Sequence, residues 1–235
     1  MAYTTVAKPK AHFDVQTYAG SSSAKTITGV AFKPDLVWTK DRTEAHSWGC
    51  YDSSRGIKKW IKHDASQSQN NADDITNTVD DSLTAFTSDG FTIATMSTDP
   101  IGNKNGNQFC SWMWKANGGT TASNSDGSIT STVQVNSTAK FSIVTYTGTG
   151  SNALGVAPKF IIIKRLNAGE QWQIGHFSKT TNANPETDYL EFLTSGTADN
   201  VNRWNDTLPT TSVVSLGTNV VVNGSGSTYV AYCFA

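Results

Sequence analysis

Hydrophobic positions recur with a period of two along most of this 235-residue chain, in short runs. FDVQTYAG, AKTITGVAF, DLVWTKDR, SWGCYDSS, KKWIKHD, LTAFTSDGFTIAT and NQFCSWMWKA follow one another between residues 13 and 116, with Gly, Asn or Asp between most of them. Such alternation sends successive side chains to opposite faces, so each run predicts a β-strand. The i, i+3, i+4 spacing of an amphipathic helix is nearly absent. After residue 116 the pattern breaks. NGGTTASNSDGSITST carries almost no apolar residue and predicts a linker or an exposed crossing loop.

The order then begins again. FDVQTYAG from Phe13 recurs as FSIVTYTG from Phe141, and KPDLVWTK around Pro34 recurs as APKFIIIK around Pro158. Trp48 falls opposite Trp172, and DGFTIAT near Phe91 corresponds to SVVSLGT near Val214. The two aromatic closing runs align last, Gly106 with Gly226, Phe109 with Tyr229, Trp112 with Tyr232 and Trp114 with Phe234. Separation between partners drifts from 128 residues to 120, as in a diverged repeat whose loops have changed length. In TYVAYCFA, Tyr229, Ala231 and Cys233 share one face and Val230, Tyr232 and Phe234 the other. Both faces are apolar, which predicts the last core strand of a second repeat, inside a sheet covered on both sides.

The expectation is an all-β fold, an antiparallel β-sandwich of jelly-roll or concanavalin-like type built from two diverged tandem repeats. Residues 1–11 form an N-terminal arm, 12–116 the first repeat, 117–136 a Gly/Ser/Thr-rich linker and 137–235 the second repeat. The repeats form either two sandwiches or one built jointly. The arm, with too few apolar residues to fold alone, is expected to dock on a neighbouring chain.

Composition adds limits to this picture. Only 16% of residues are charged, while seven Trp, seven Tyr and ten Phe argue for packed cores and against disorder. A net charge of -1 and scattered basic residues offer polyanions no general attraction, so no nucleic-acid partner is expected. MAYTTVAKPKAHF lacks the apolar core of a secretion signal, and no apolar run reaches the roughly 18 to 20 residues of a membrane helix, so neither secretion nor membrane insertion is expected. Cys50, Cys110 and Cys233 lie in alternating apolar stretches and read as buried, reduced thiols.

The succession YTG, GVAPKFIIIK, WNDTLPTTSVVSLGT and VNGSGSTYVAYCFA, preceded by DGSITSTVQVNSTAKFSIVTYTGTG, resembles a recurrent module of tailed-bacteriophage virion proteins, a tail-fibre-like repeat family and phage structural domain of unknown function. The opening MAYTTVAKP, with PDLVWTKDR and YDSSRG behind it, is similar to the usual start of such proteins. The resemblance spans nearly the whole chain, and it implies a non-enzymatic virion structural protein, exposed on the particle as a tail-fibre or receptor-binding appendage. It would be made in the host cytoplasm, with other virion proteins and copies of itself as partners, and host surface glycans as a further partner. The alternative it implies is a capsid decoration (cement) protein clamping capsid subunits. Members are often longer than two repeats, which weighs against a long fibre.

The polar constellations are few. Trp204, flanked by Asn202, Asn205 and Asp206, joins an aromatic ring that could stack on a pyranose to groups that could bond its hydroxyls, and it is the candidate ligand site. The competing reading makes Trp204 a packed loop anchor. Asp52 and Arg55 in YDSSRG are expected to tie a turn. Glu44, Asp52, Asp64, Glu170, Glu186 and Glu191 show no spacing that pairs two carboxylates across a cleft. No GxSxG elbow accompanies His12, His46, His63 or His176. NKNGN and NSDGS lack the DxDxDG framework of a calcium loop, and TGTGSNALG lacks the lysine of a phosphate loop. No catalytic residue, cofactor or metal is expected, and a free carbohydrate-binding or hydrolytic protein is the least favoured reading.

Overall fold

A computed structural model describes residues 8–71, 82–94, 101–150, 158–177, 184–193, 198–199, 201–210 and 212–235. These residues form antiparallel sheets joined by turns, with two single-turn helices and a 3-10 turn at Pro9–Ala11. The rest of the expected arm, residues 1–7, lies outside the described residues. The chain divides into two compact units, one of residues 1–64, 69–120 and 136–139, the other of 65–68, 121–135 and 140–235.

The first unit holds β1 (Phe13–Ala19), β2 (Lys25–Ile27), β3 (Leu36–Asp41), β4 (Gly49–Asp52), β5 (Lys59–Trp60), β6 (Asn70–Asn71), β7 (Leu83–Thr87), β8 (Gly90–Ile93) and β9 (Gln108–Trp114). A four-stranded sheet in the order β1-β9-β3-β4 and a three-stranded sheet in the order β2-β8-β7 contribute to one apolar cluster. Tyr18, Val37, Tyr51, Phe109 and Met113 come from the first sheet, and Ile27, Leu83, Phe91 and Ile93 from the second. Period-two alternation makes this possible, because each strand gives the core every second side chain.

The second unit holds β10 (Ala122–Asn124), β11 (Ser131–Asn136), β12 (Phe141–Thr147), β13 (Phe160–Arg165), β14 (Gln173–His176), β15 (Asp188–Tyr189), β16 (Ala198–Asp199) and β17 (Thr228–Phe234), with α1 (Val201–Trp204) and α2 (Val220–Asn223). Its six-stranded sheet runs β10-β11-β12-β17-β13-β14. Val144, Tyr146, Ile161, Ile163, Tyr229, Ala231 and Cys233 pack there with Val214, Leu216, Val221, Val222 and Trp204 from the loops and short helices. Asn219 caps α2 by accepting the Val221 N–H at 3.1 Å. As its two apolar faces predict, β17 is central, and Tyr229 through Cys233 are buried.

The two sheets share more than class. β1-β9-β3-β4 and β12-β17-β13-β14 have the same order. In the first, Phe13 pairs with Trp114, Trp114 with Leu36, and Leu36 with Asp52. In the second, Phe141 pairs with Phe234, Phe234 with Phe160, and Phe160 with His176. Trp112 and Tyr232 thus stand at equivalent points, each with a stacked ring beside it, Trp48 at 5.3 Å and Trp172 at 6.3 Å. Tyr18 stacks on Phe109 and donates to Gly102 O at 2.7 Å, while Tyr146 stacks on Tyr229 and donates to Val222 O at 2.7 Å. Gly106 and Gly226 open the two central strands at φ of 85° and 73°, where a side chain would be strained.

Residues 117–136 depart from the expected linker. They contain β10 and β11, and β11 pairs alongside β12. Ser131 and Val133 are buried while Thr132 is exposed. A strand near a sheet edge needs only every second side chain inside, so a Ser- and Thr-rich segment can form one with little apolar content.

Candidate functional site

The expected glycan site does not present its ring. Trp204 ends α1 and is fully buried, its Nε1 donating to Asp188 O at 2.9 Å and its ring edge-on to Phe177 at 5.4 Å. Gly175 makes room for it, since a Cβ there would come within 2.9 Å of Trp204 Cζ2. Backbone bonds from Gly217 N to Arg203 O at 2.8 Å and from Asn219 N to Asn202 O at 3.1 Å pin the helix in place. Asn202, Asn205 and Asp206 are exposed around a ring that faces the core, so the four residues do not converge on a ligand. The polar flanks in the sequence mark the solvent side of a short turn, and Trp204 is its inward anchor. Arg203 beside it lies over the Tyr189 ring at 4.4 Å and donates from Nε to Gln173 Oε1 at 2.7 Å.

Asp52 and Arg55 do tie a turn. Asp52 accepts the Arg55 backbone N–H at 2.8 Å and its Nε, and Arg55 also donates to Cys50 O and Gln69 Oε1. Both side chains are buried. Asp35 has a comparable role, accepting from Ser53 Oγ, Ala116 N and Gly118 N at 2.7 to 2.8 Å.

Among the described residues, Asp41, Glu44 and His46 are the group whose ligand atoms come closest to a metal-binding arrangement. Asp41 Oδ1 accepts from Thr43 N at 2.8 Å and Glu44 N at 3.1 Å. Its Oδ2 accepts from Asn107 Nδ2 and lies 2.8 Å from His46 Nδ1. Glu44 Oε2 holds His46 Nε2 at 3.3 Å and Lys104 Nζ at 2.5 Å. Burial pushes the Asp41 carboxyl up, yet the bonds from His46, Asn107, Thr43 and Glu44 outweigh it and hold the group below its ordinary value. Both Asp41 oxygens and Glu44 Oε2 are already used, and a cation held by them would have to displace Lys104 and Asn107. The cluster fastens the β3–β4 connection to the loop before β9. DRTEAH carries a visible Asp-x-x-Glu-x-His spacing, but Asp41 and this grouping were not among the sequence candidates.

A different feature stands out on the first unit's four-stranded sheet. The face opposite the core carries Phe13, Val15 and Thr17 from β1, Cys110, Trp112 and Trp114 from β9, and Leu36, Trp38 and Lys40 from β3. Trp48 stacks on Trp112, Trp38 meets Trp114 at 4.9 Å, and Phe13 meets Trp114 at 5.0 Å. Toward β4 this face is closed, with Leu36 and Cys50 fully buried and His63 set against Trp38 at 4.2 Å. Toward β1 it is open, with Phe13 38% and Val15 39% exposed and the four tryptophans half-buried. Of the equivalent positions in the second unit, Phe141, Ile143, Ile162, Tyr232 and Trp172 are buried, and Phe234, which matches Trp114, is half-buried.

Residues 8–235 match the family model described as Domain of unknown function (DUF7483). The chain belongs to that family. No curated protein matches it, and no solved structure does. None of the three cysteines of this DUF7483 chain is in a disulfide, but they are not equally hidden as the sequence suggested. Cys50 and Cys233 are buried, and burial pushes the Cys233 thiol up to about 12. Cys110 is only half-buried, because it points to the open face of the sheet between Thr17 and Lys40. A bulky maleimide added to the native DUF7483 protein is therefore expected to label Cys110 first, as peptide mass mapping would report. Equal labelling of all three would contradict the buried placement of Cys50 and Cys233.

Proposed function

We propose that this protein is a non-enzymatic structural protein of a tailed-phage particle, displayed on it as a tail-fibre or receptor-binding appendage. The resemblance of its strand motifs to virion modules suggests the setting, and the open aromatic face of the first unit is the observation that carries a binding role. Half-buried tryptophans joined to exposed apolar side chains make a contiguous patch of the sort that protein interfaces use, and tryptophan is among the residues that dominate interface energies. The polar clusters, by contrast, are consumed in holding turns. The shared strand order and register support descent from a duplicated unit, with the first copy's face left open for a partner.

Capsid decoration remains the second reading, favoured by the same open face, which would suit a clamp on capsid subunits. Quantitative mass spectrometry of purified particles separates the two: tens of copies or fewer fit an appendage, hundreds fit decoration, and absence from particles would overturn both. Val15→Lys puts a charge in the patch, on an edge strand where lysine is well tolerated. It is expected to reduce incorporation into particles at least about fivefold, since one interface anchor is commonly worth about 1 kcal/mol or more. Its melting temperature should stay within a few degrees of the parent's. Normal incorporation would remove the face from the argument.

A further inference from the structure

Thr130, Thr132, Thr145, Thr147 and Thr228, with Leu166, line a cavity of about 310 Å³ on the second unit. Four segments supply them: the β11 region, β12, β17 and the residue after β13. Thr147 and Thr228 are direct partners across β12 and β17, and Thr145 stands two residues along β12 on the same face as Thr147. The rings of Tyr146 and Tyr229, which alternate with them, stack on the opposite, core-facing side of the sheet, with their hydroxyls committed to Val222 O and Val220 O. The strand backbones are thus the floor, and the polar side chains on the groove's face are the threonine hydroxyls.

Thr145 has a counterpart in Thr17 of the first unit, but the fold does not need Thr147 and Thr228. In the first unit, the positions matching Thr147, Thr228 and Leu166 are Ala19, Gln108 and Arg42, joined by the same register and the same backbone bond. Nor is there a strand beyond β1 among the described residues to act as the wall that β11 gives the second unit. The cavity is therefore a property of one unit's side chains, laid on a framework common to both.

We propose that this groove binds a neutral saccharide unit. No charged side chain lines it, so it offers nothing to neutralise a phosphate, a carboxylate or a metal ion. Each threonine hydroxyl can donate and accept, as the hydroxyls of a sugar require, while its methyl group and Leu166 meet the C–H faces of the ring. The volume lies at the small end of the roughly 300 to 1,000 Å³ of ligand sites, a size for one sugar residue rather than a chain. The inference names a ligand class for the appendage reading and rests on it only for the source of the sugar, a host surface polysaccharide.

The test is titration of D-glucose, D-galactose and N-acetyl-D-glucosamine, one at a time, into the isotope-labelled full chain, followed by amide chemical shifts. At least one is expected to shift residues 130–132, 145–147 and 228 saturably, whereas inorganic phosphate does not. Thr132→Val combined with Thr147→Val keeps the side-chain shape and removes two hydroxyls. The double variant is expected to bind about tenfold more weakly, with its melting temperature unchanged. Absence of a saturable shift for all three sugars, shifts centred on Trp48 and Trp112 instead, or full affinity in the double variant would each overturn the proposal. Retention on purified host polysaccharide, lost in the double variant, would assign the sugar to the host surface; binding of free sugar without retention would keep the groove and reject that source. Absence of the protein from particles would sink the virion reading alone.

Discussion

Trp204→Ala is expected to destabilise the second unit by about 3 to 5 kcal/mol, the cost of emptying a fully buried tryptophan site. Two effects add. The ring leaves a cavity among Phe177, Gly175 and the sheet core, and Asp188 O loses the indole N–H that it accepts. Trp204→Phe should recover part of the packing and none of the hydrogen bond. Denaturant titration of both variants provides the measurement, and a Trp204→Ala protein as stable as the parent would mean that the ring lies outside the core. Substituting the exposed Asn205 should change little, unless its φ of 54° makes the new side chain strained.

Acid is expected to unfold the first unit through His63. Burial holds this imidazole neutral and takes its pKa from 6.5 down to about 3, with the charge of Arg55 acting in the same direction. The folded-state value is depressed, so between pH 6.5 and 3 the unfolded chain binds a proton that the folded chain does not. Stability is accordingly full above pH 6.5 and falls as pH drops through that window, by up to about 1.4 kcal/mol per pH unit and a few kcal/mol in all. Asp41, whose carboxyl is held below its ordinary value, adds loss of the same sign in the lower part of the range. His63→Phe should flatten the pH dependence by one proton. If the variant's urea midpoint falls with acid as steeply as the parent's, His63 is not the group responsible.

What the sequence revealed and what it concealed follow from how local each signal is. Alternation in NQFCSWMWKA and TYVAYCFA identified two strands, the second with apolar residues on both faces, and β9 and β17 are inner strands of their sheets. The pairs Trp48 with Trp172 and Trp112 with Tyr232 were visible because each sits at a fixed offset from a strand. Between its two readings, ligand residue and packed anchor, the sequence around Trp204 could not decide for a physical reason: polar neighbours in sequence say nothing about which side of a one-turn helix faces the core. Strand β11 was hidden because Ser131, Thr132 and Gln134 have the composition of a loop, and only pairing with β12 makes them a strand. The threonine groove could not be read at all, since its walls come from residues as far apart as 130 and 228 and the sheet register alone assembles them.

The place of β9 and β17 also orders events in time. Each is the last strand of its sheet to leave the ribosome, yet each lies between two strands made long before it, β9 between β1 and β3, β17 between β12 and β13. Until that strand arrives, its neighbours have no hydrogen-bonded partner on their inner edges, and the core beside Val37, Ile161 and Ile163 lacks the side chains that strand brings, Phe109 and Met113 or Tyr229, Ala231 and Cys233. Loop closure must precede any reward from pairing, so folding of each unit should be slow to begin and abrupt to finish. A nascent chain stalled just before Gln108 or Thr228 is thus at its most adhesive point, and a translation pause before Gln108 should raise aggregation more than a pause a few residues after Trp114.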